Sequence, residues 1–352
     1  MRAITHTETG DASLLKLTER DIPAPGPGEV RIRVVVSGVN PTDWKSRAGN
    51  YGGDTNGFDR VPNQDGAGII DAVGPEVDGF APGDRVWTVL AAHERPTGGT
   101  AQEYTTVPVE RVFPLPPSAD FDLGASIGIP GVTAHRALTV AEDGPSRLDL
   151  GALTGATVLV AGGAGAVGNA AIQLARWAGA TVIATVSNDA KARLASAAGA
   201  HHVVDYRAEG AAEQIRRIAP SGVDLIVEVA IDKNIALDLQ VLKPLGTISV
   251  YAFGAEPSFV VNVGQNMGLN TRYQFVLLYT VGWPIIGAAA ADINAAVADG
   301  AYNVGKEAGL PLHIFALEQT ADAHRAVETS AIGKVLVRVA PDGKHSPSDG
   351  RT

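Results

Sequence analysis

The chain has 352 residues, room for two domains at roughly 150 residues each. Hydrophobic residues make up 45% and charged residues 19%, which supports packed cores. A net charge of −10 speaks against nucleic acid as a partner, and with no cysteine there is neither a disulfide nor a thiolate zinc site.

The opening residues, Met1 to His6, carry no apolar signal core, so a cytoplasmic location is expected. Strands are predicted at Val30 to Val36, Gly68 to Val73, Asp84 to Leu90 and Tyr104 to Pro108. Pro- and Gly-rich turns separate them, at a spacing that suggests a compact barrel-like unit. Near residue 130 the pattern changes to strict alternation. Strands Thr157 to Ala161, Thr181 to Val186, His202 to Val204, Asp224 to Val229 and Gly246 to Tyr251 alternate with helices at Asn169 to Ala178, Asp189 to Ala198, Glu209 to Ile218 and Leu237 to Leu242. That order means a doubly wound parallel sheet. The apolar stretch Phe275 to Ala291 is shorter than the ~20 residues that span a bilayer, and Gly282-Trp283-Pro284 interrupts it; it reads as a buried helix or pocket wall, with no membrane partner. A helix at Ala289 to Asp299, a strand at Leu312 to Leu317, a helix at Glu318 to Glu328 and a strand at Lys334 to Val339 follow, and the tail is expected to return to the first domain.

The strongest motif is Gly163-Ala164-Gly165-Ala166-Val167-Gly168, a full GxGxxG between a predicted strand and a predicted helix. Glycines permit a tight turn and close approach of a pyrophosphate, and the helix N-terminus offers amides and partial positive charge. In NAD sites an acid near the tip of the second strand holds the ribose hydroxyls. Here that strand ends in Ser187-Asn188, with Lys191 four residues beyond Ser187. Two neutral donors and a cation suit a 2′-phosphate, so NADPH is expected over NADH. Tyr206 can close over the same phosphate or be an ordinary loop tyrosine. Asp189 reads as a helix N-cap.

Further segments follow in order: Gly38-Val39-Asn40-Pro41-Thr42-Asp43, Asn63-Gln64-Asp65-Gly66-Ala67-Gly68, Pro82-Gly83-Asp84-Arg85-Val86, Ile129-Pro130-Gly131-Val132-Thr133-Ala134 and Gly333-Lys334-Val335. Together with the glycine turn they resemble the medium-chain dehydrogenase/reductase superfamily, in its zinc-free quinone oxidoreductase branch. The resemblance implies an α/β fold, with a GroES-like β-rich catalytic domain (1–128 and 285–352) around a doubly wound Rossmann NADPH-binding domain (129–284). It also implies an active cleft between the domains and a homodimer. Zinc alcohol dehydrogenases of the superfamily carry Cys, His and Glu where this chain has Asn40, Gln64 and Asp65, and neither Asn nor Gln is a good zinc ligand.

The implied chemistry is hydride transfer from NADPH to a quinone or an α,β-unsaturated carbonyl. Asn40 is the leading polar candidate, near the nicotinamide, although Asn-Pro also starts turns. Tyr51 can orient substrate or donate a proton, or belong to a loop. Asp43 and Lys45 read as helix caps or surface residues. Thr133, Val229, Ala230, Tyr251, Phe253 and Lys334 are expected at the cofactor, although apolar residues at such strand ends are more often core than contact. The eight histidines form no metal pattern. Two alternatives stay open, an enoyl-thioester reductase of the same superfamily and a non-catalytic NADPH-binding protein.

Overall fold

The computed structural model describes residues 1–50, 57–254 and 256–340. The chain forms two compact units. One holds Met1–Leu115, His313–Ala331 and the residues from Val335; the other holds Pro116–Leu312 and Ile332–Lys334.

The first unit begins with β1 (Arg2–Thr5), antiparallel to β2 (Lys16–Glu19). Then come β3 (Glu29–Val39), the short helix α1 (Pro41–Arg47), β4 (Asp65–Val73), β5 (Arg85–Thr88), β6 (Tyr104–Pro108) and β7 (Val112–Pro114). Alternation explains β3: Val30, Ile32 and Val34 are buried while Arg31 and Arg33 between them keep some exposure. Its pairing with β4 shifts register twice, between Arg31 and Ile32 and between Val34 and Val36. Such irregularities bend a sheet.

The second unit opens with α2 (Phe121–Leu138), which sequence patterning misses because Pro130-Gly131 reads as a turn. The helix runs through them: Pro130 is buried, and a Cβ on Gly131 would stand 3.1 Å from the Tyr302 hydroxyl. There follow β8 (Thr157–Ala161), α3 (Ala166–Trp177), β9 (Thr181–Val186), α4 (Asp189–Ala197), β10 (His202–Asp205), α5 (Ala211–Ile218), β11 (Val223–Glu228), α6 (Ile231–Val241), β12 (Leu242–Val250), α7 (Val263–Leu269), β13 (Arg272–Phe275) and α8 (Trp283–Ala298). The six strands run parallel in the order β10-β9-β8-β11-β12-β13. Counted within the unit this is 3-2-1-4-5-6, whose switch point lies between β8 and β11. Asp292 on α8 ties this unit together. Buried, it accepts from His135 Nε2 on α2 (2.8 Å), from the Arg147 guanidinium and from the Leu148 amide (2.8 Å). Burial alone would raise its carboxyl; these donors outweigh that and hold it far below the usual range.

The chain then returns to the first unit with β14 (Leu312–Ala316), α9 (Thr320–Glu328) and β15 (Lys334–Arg338). The sheet order is β14-β15-β3-β4-β5-β7, with β6 also paired to β3. β15 lies against the second half of β3 and β6 against the first. Among the described residues no helix is long and apolar enough to cross a membrane.

Candidate active site

The phosphate turn is built by the main chain. Its positive φ, +69°, falls on Gly162, one residue before the GxGxxG. The amides of Gly162 and Gly163 both donate to the Thr185 carbonyl, at 3.1 and 3.2 Å, and Gly165 donates to Gly162 at 2.9 Å. The glycines then divide the work. A Cβ on Gly163 would stand 2.9 Å from Ala184 Cβ, and one on Gly168 would stand 2.4 Å from the Gly162 carbonyl oxygen. These two allow strand and helix to pack. A Cβ on Gly165 would meet only the Gly162 oxygen, at 3.4 Å, so this exposed glycine leaves the approach to the helix open. Ala164 is buried, whereas Ala166 and Val167 are half-buried in the first turn of α3. The helix starts three residues before Asn169, so its leading amides belong to the motif itself. This is the cradle a pyrophosphate requires.

At the tip of β9, Lys191 Nζ donates to Ser187 Oγ at 3.1 Å. Asn188, not Asp189, caps α4: its Oδ1 accepts from the Lys191 amide at 2.9 Å, and Asp189 is the first helical residue. The Tyr206 amide donates to the Val186 carbonyl at 3.1 Å, and its side chain is exposed. Ser187, Lys191 and Tyr206 thus gather at one strand end.

At the tip of β11, Val229 and Ala230 are half-buried. The residue before them, Glu228, is fully buried, and sequence reasoning passed over it. It accepts from the Ala230 amide and from Asn234 Nδ2 (2.9 Å), and buried Asp238 on α6 is an acidic neighbour on which its charge acts. Burial raises both carboxyls, so the pair holds a proton more readily than ordinary acids. The one sequence signal is an acid inside the apolar run Leu225 to Ala230. Tyr251 is half-buried, its phenol pushed up by burial and by Glu228, and Phe253 is exposed. Thr133 lies buried within α2, and Lys334 is buried at the start of β15.

In the first unit, Asn40 follows β3 directly and stands at the N-cap of α1, so the turn-starting and polar-site readings describe the same residue. It is buried. Its amide donates to Asp43 Oδ2 (2.7 Å), and its Nδ2 donates to Asp65 Oδ2 (2.7 Å). Asp43 Oδ1 accepts from the Gln64 amide at 3.1 Å, and Gln64 Oε1 accepts from the Ala92 amide at 3.1 Å. Asp43 is therefore a buried clamp between α1 and the β4 approach, not a surface residue. A cavity of about 50 Å³ borders this knot, lined among others by Asp43, Arg47, Asn63 and Gln64. Tyr51 lies outside the described residues. Among the described residues no three His, Cys, Asp or Glu side chains are placed to hold a metal ion.

Comparison with known proteins agrees with this architecture. The alcohol dehydrogenase GroES-like domain matches residues 26–117, and the zinc-binding dehydrogenase family matches residues 166–284. The quinone oxidoreductase of Lama guanicoe is 32% identical over 343 residues, 96% of this chain and 97% of the relative. The human quinone oxidoreductase is 30% identical over the same coverage. Among solved structures, a mycobacterial quinone oxidoreductase superposes with a TM-score of 0.81 at 27% identity, covering 96% of this chain and 99% of that one. A mycobacterial protein solved in complex with NADPH gives 0.80 at 27%, with the same coverage. The chain belongs to the medium-chain dehydrogenase/reductase superfamily, in its quinone oxidoreductase branch, and is an oxidoreductase.

Proposed function

We propose that this chain is a zinc-independent, NADPH-dependent reductase that passes hydride to a quinone or an α,β-unsaturated carbonyl. The observation that carries the reading is the state of the three positions where zinc relatives keep ligands. Asn40 is an amide whose Nδ2 donates to Asp65 Oδ2, and Gln64 Oε1 accepts from the Ala92 amide. A set of two amides and a hydrogen-bonded carboxylate is a poor zinc site. Reducing a conjugated acceptor needs less Lewis-acid help than oxidising an alcohol, because charge spreads over the conjugated system.

The glycine cradle fits the pyrophosphate, and Ser187 with Lys191 fits a 2′-phosphate. Bound NADPH supplies the hydride from its nicotinamide. The rest of the work falls to the protein: holding the acceptor and supplying a hydrogen-bond donor for the charge that develops on its oxygen. We assign that donor to Asn40. The bond to Asp65 fixes the plane in which that amide lies. Tyr51 is assigned a role in orienting substrate. We also assign cofactor contacts to Thr133, Val229, Ala230, Tyr251, Phe253 and Lys334, and a homodimeric state to the protein.

The test follows absorbance at the reduced-nicotinamide band, with NADPH and NADH in parallel, a panel of quinones and enones, and a chelator. Chelator-resistant turnover preferring NADPH is expected. Loss of activity on chelation would remove the zinc argument, and preference for NADH would remove the Ser187–Lys191 argument. Turnover confined to enoyl thioesters would shift the substrate class, and binding with no acceptor reduced would mark a non-catalytic binder. Native mass spectrometry reads the subunit number.

A further inference from the structure

Behind the Asn40 knot runs a chain of buried polar groups drawn from four distant parts of the first unit. His324 Nε2 on α9 lies 2.9 Å from Asn63 Oδ1. Asn63 Nδ2 lies 2.9 Å from Ser37 Oγ, Ser37 Oγ lies 2.7 Å from Thr100 Oγ1, and Thr100 Oγ1 lies 2.5 Å from the Asp65 carbonyl oxygen. The Thr100 amide also donates to the Asn63 carbonyl at 3.0 Å. Every member is buried.

The far end fixes each proton along this chain. A carbonyl oxygen only accepts, so the single Thr100 hydroxyl hydrogen goes to Asp65. Thr100 Oγ1 must then accept from the Ser37 hydroxyl, and Ser37 Oγ must accept from Asn63. That requires the amide NH₂ of Asn63 to face Ser37 and its oxygen to face His324. The imidazole must therefore carry its proton on Nε2. Its Nδ1, buried and without a hydrogen-bond partner, is the unprotonated nitrogen. Burial, with Arg47 and His6 adding repulsion, pushes the imidazole down to about 3, which keeps it neutral.

The backbone between these groups is held in a conformation that side chains resist. Asn63 has φ +77° and is followed directly by Gln64 and Asp65, the partners of Asp43 and Asn40. A second tie joins α9 to α1, where buried Arg47 donates to Glu328 at 3.0 Å and to the Gly10 carbonyl at 3.0 Å.

We infer that His324 is a positioning residue for the reaction: through Asn63, Ser37 and Thr100 it sets the place of Asp65, and through Asp65 the direction of the Asn40 amide. This rests on the assignment of Asn40 as the donor of the reduction. Loosening the chain should misplace that donor without touching the cofactor cradle, and sub-ångström placement is worth roughly ten- to hundredfold in rate.

A double-mutant cycle tests this. His324→Leu removes the donor, whereas His324→Gln puts an amide NH₂ near the place of Nε2. We expect kcat for quinone reduction to fall roughly ten- to hundredfold in His324→Leu, with NADPH affinity unchanged and with recovery in His324→Gln. In an Asn40→Ala background, His324→Leu should lower kcat no further, because its effect passes through Asn40. Additive losses, or a kcat that His324→Leu leaves intact, would overturn the inference. Should His324→Leu fail to fold, Ser37→Ala, which removes the next hydroxyl in the chain, carries the same cycle. A nitrogen-detected NMR spectrum decides independently of turnover: the ring must be the neutral Nε2–H tautomer from pH 5 to 8, and the Asn40 side-chain amide signal must move in Ser37→Ala and stay near its wild-type position in His324→Gln. A ring that titrates in that range, or an Asn40 signal that stays put in Ser37→Ala, refutes it. A wild-type protein that reduces neither quinone nor enone refutes the proposed function, while the NMR result still decides whether His324 sets the placement of Asn40.

Discussion

The two candidate sites, one in each unit, are built on opposite plans. The phosphate turn takes consecutive residues, Gly162 to Gly168, and uses main-chain amides and the absence of side chains. The Asn40 knot takes side chains from β3, α1, β4, the segment before β4, the loop at Thr100 and α9, and uses hydrogen bonds between them. A site of the first kind depends on local sequence and fails when a Cβ is added. One of the second kind depends on the whole unit being folded, and it fails when any buried partner is left unpaired.

The largest effect should come from the knot. Asn40→Ala should cost roughly 10²- to 10³-fold in kcat, the scale of a lost oxyanion donor, with the NADPH dissociation constant unchanged. If kcat survives, the knot is structural and the contrast collapses. Next comes Gly168→Ala, whose Cβ would stand 2.4 Å from the Gly162 carbonyl. Overpacking of this kind costs about 1–3 kcal/mol, read as a lower midpoint in urea. Its partner experiment is Gly165→Ala, where space is open: stability should stay within about 0.5 kcal/mol while NADPH binding weakens. If both substitutions behave alike, the division of labour among the glycines is wrong.

Acid should separate the two units. His324 is held down to about 3 in the folded protein and titrates near 6.5 when unfolded. The unfolded chain therefore takes up a proton that the folded one refuses, and stability falls as pH drops below about 6.5. From pH 6.5 to 5 the loss is about 2 kcal/mol. His6, also lowered by burial, acts in the same sense. Glu228 and Asp238 in the other unit are raised, so their contribution improves as pH falls. Hydrogen exchange resolved by unit should show the first unit loosening over this range, and His324→Gln should flatten most of that slope. A first unit as protected at pH 5 as at pH 7 contradicts it. The smallest effect belongs to Lys191→Ala, which should narrow the preference for NADPH over NADH about tenfold, near 1.4 kcal/mol.

What the sequence disclosed follows the same division. The glycine turn was legible because its meaning lies in spacing along one stretch, between β8 and α3. The bounds of Thr157–Ala161 and Thr181–Val186 were legible for the same local reason. Gly162 was hidden beside a better-known pattern, and Asn188 displaced Asp189 as the cap because either residue type can fill that position. α2 stayed hidden because buried packing holds a helix through Pro130-Gly131. The partners of Asn40 could not be read at all. Asp65 looked like one acid in a motif, and His324 like one of eight histidines without a pattern, since no periodicity links it to a residue 261 positions away.

That separation of 261 positions also has a consequence in time. A ribosome adds roughly 5–20 residues per second, so Asn63 leaves it on the order of 13–50 s before His324 exists. For that interval Asn63, Ser37 and Thr100 lack their closing partner, and so does Arg47, which awaits Glu328. The unit in between can fold meanwhile as a self-contained domain. The half of the enzyme that begins first is thus the half that must finish last, and in that window a holding chaperone would find the nascent chain most receptive.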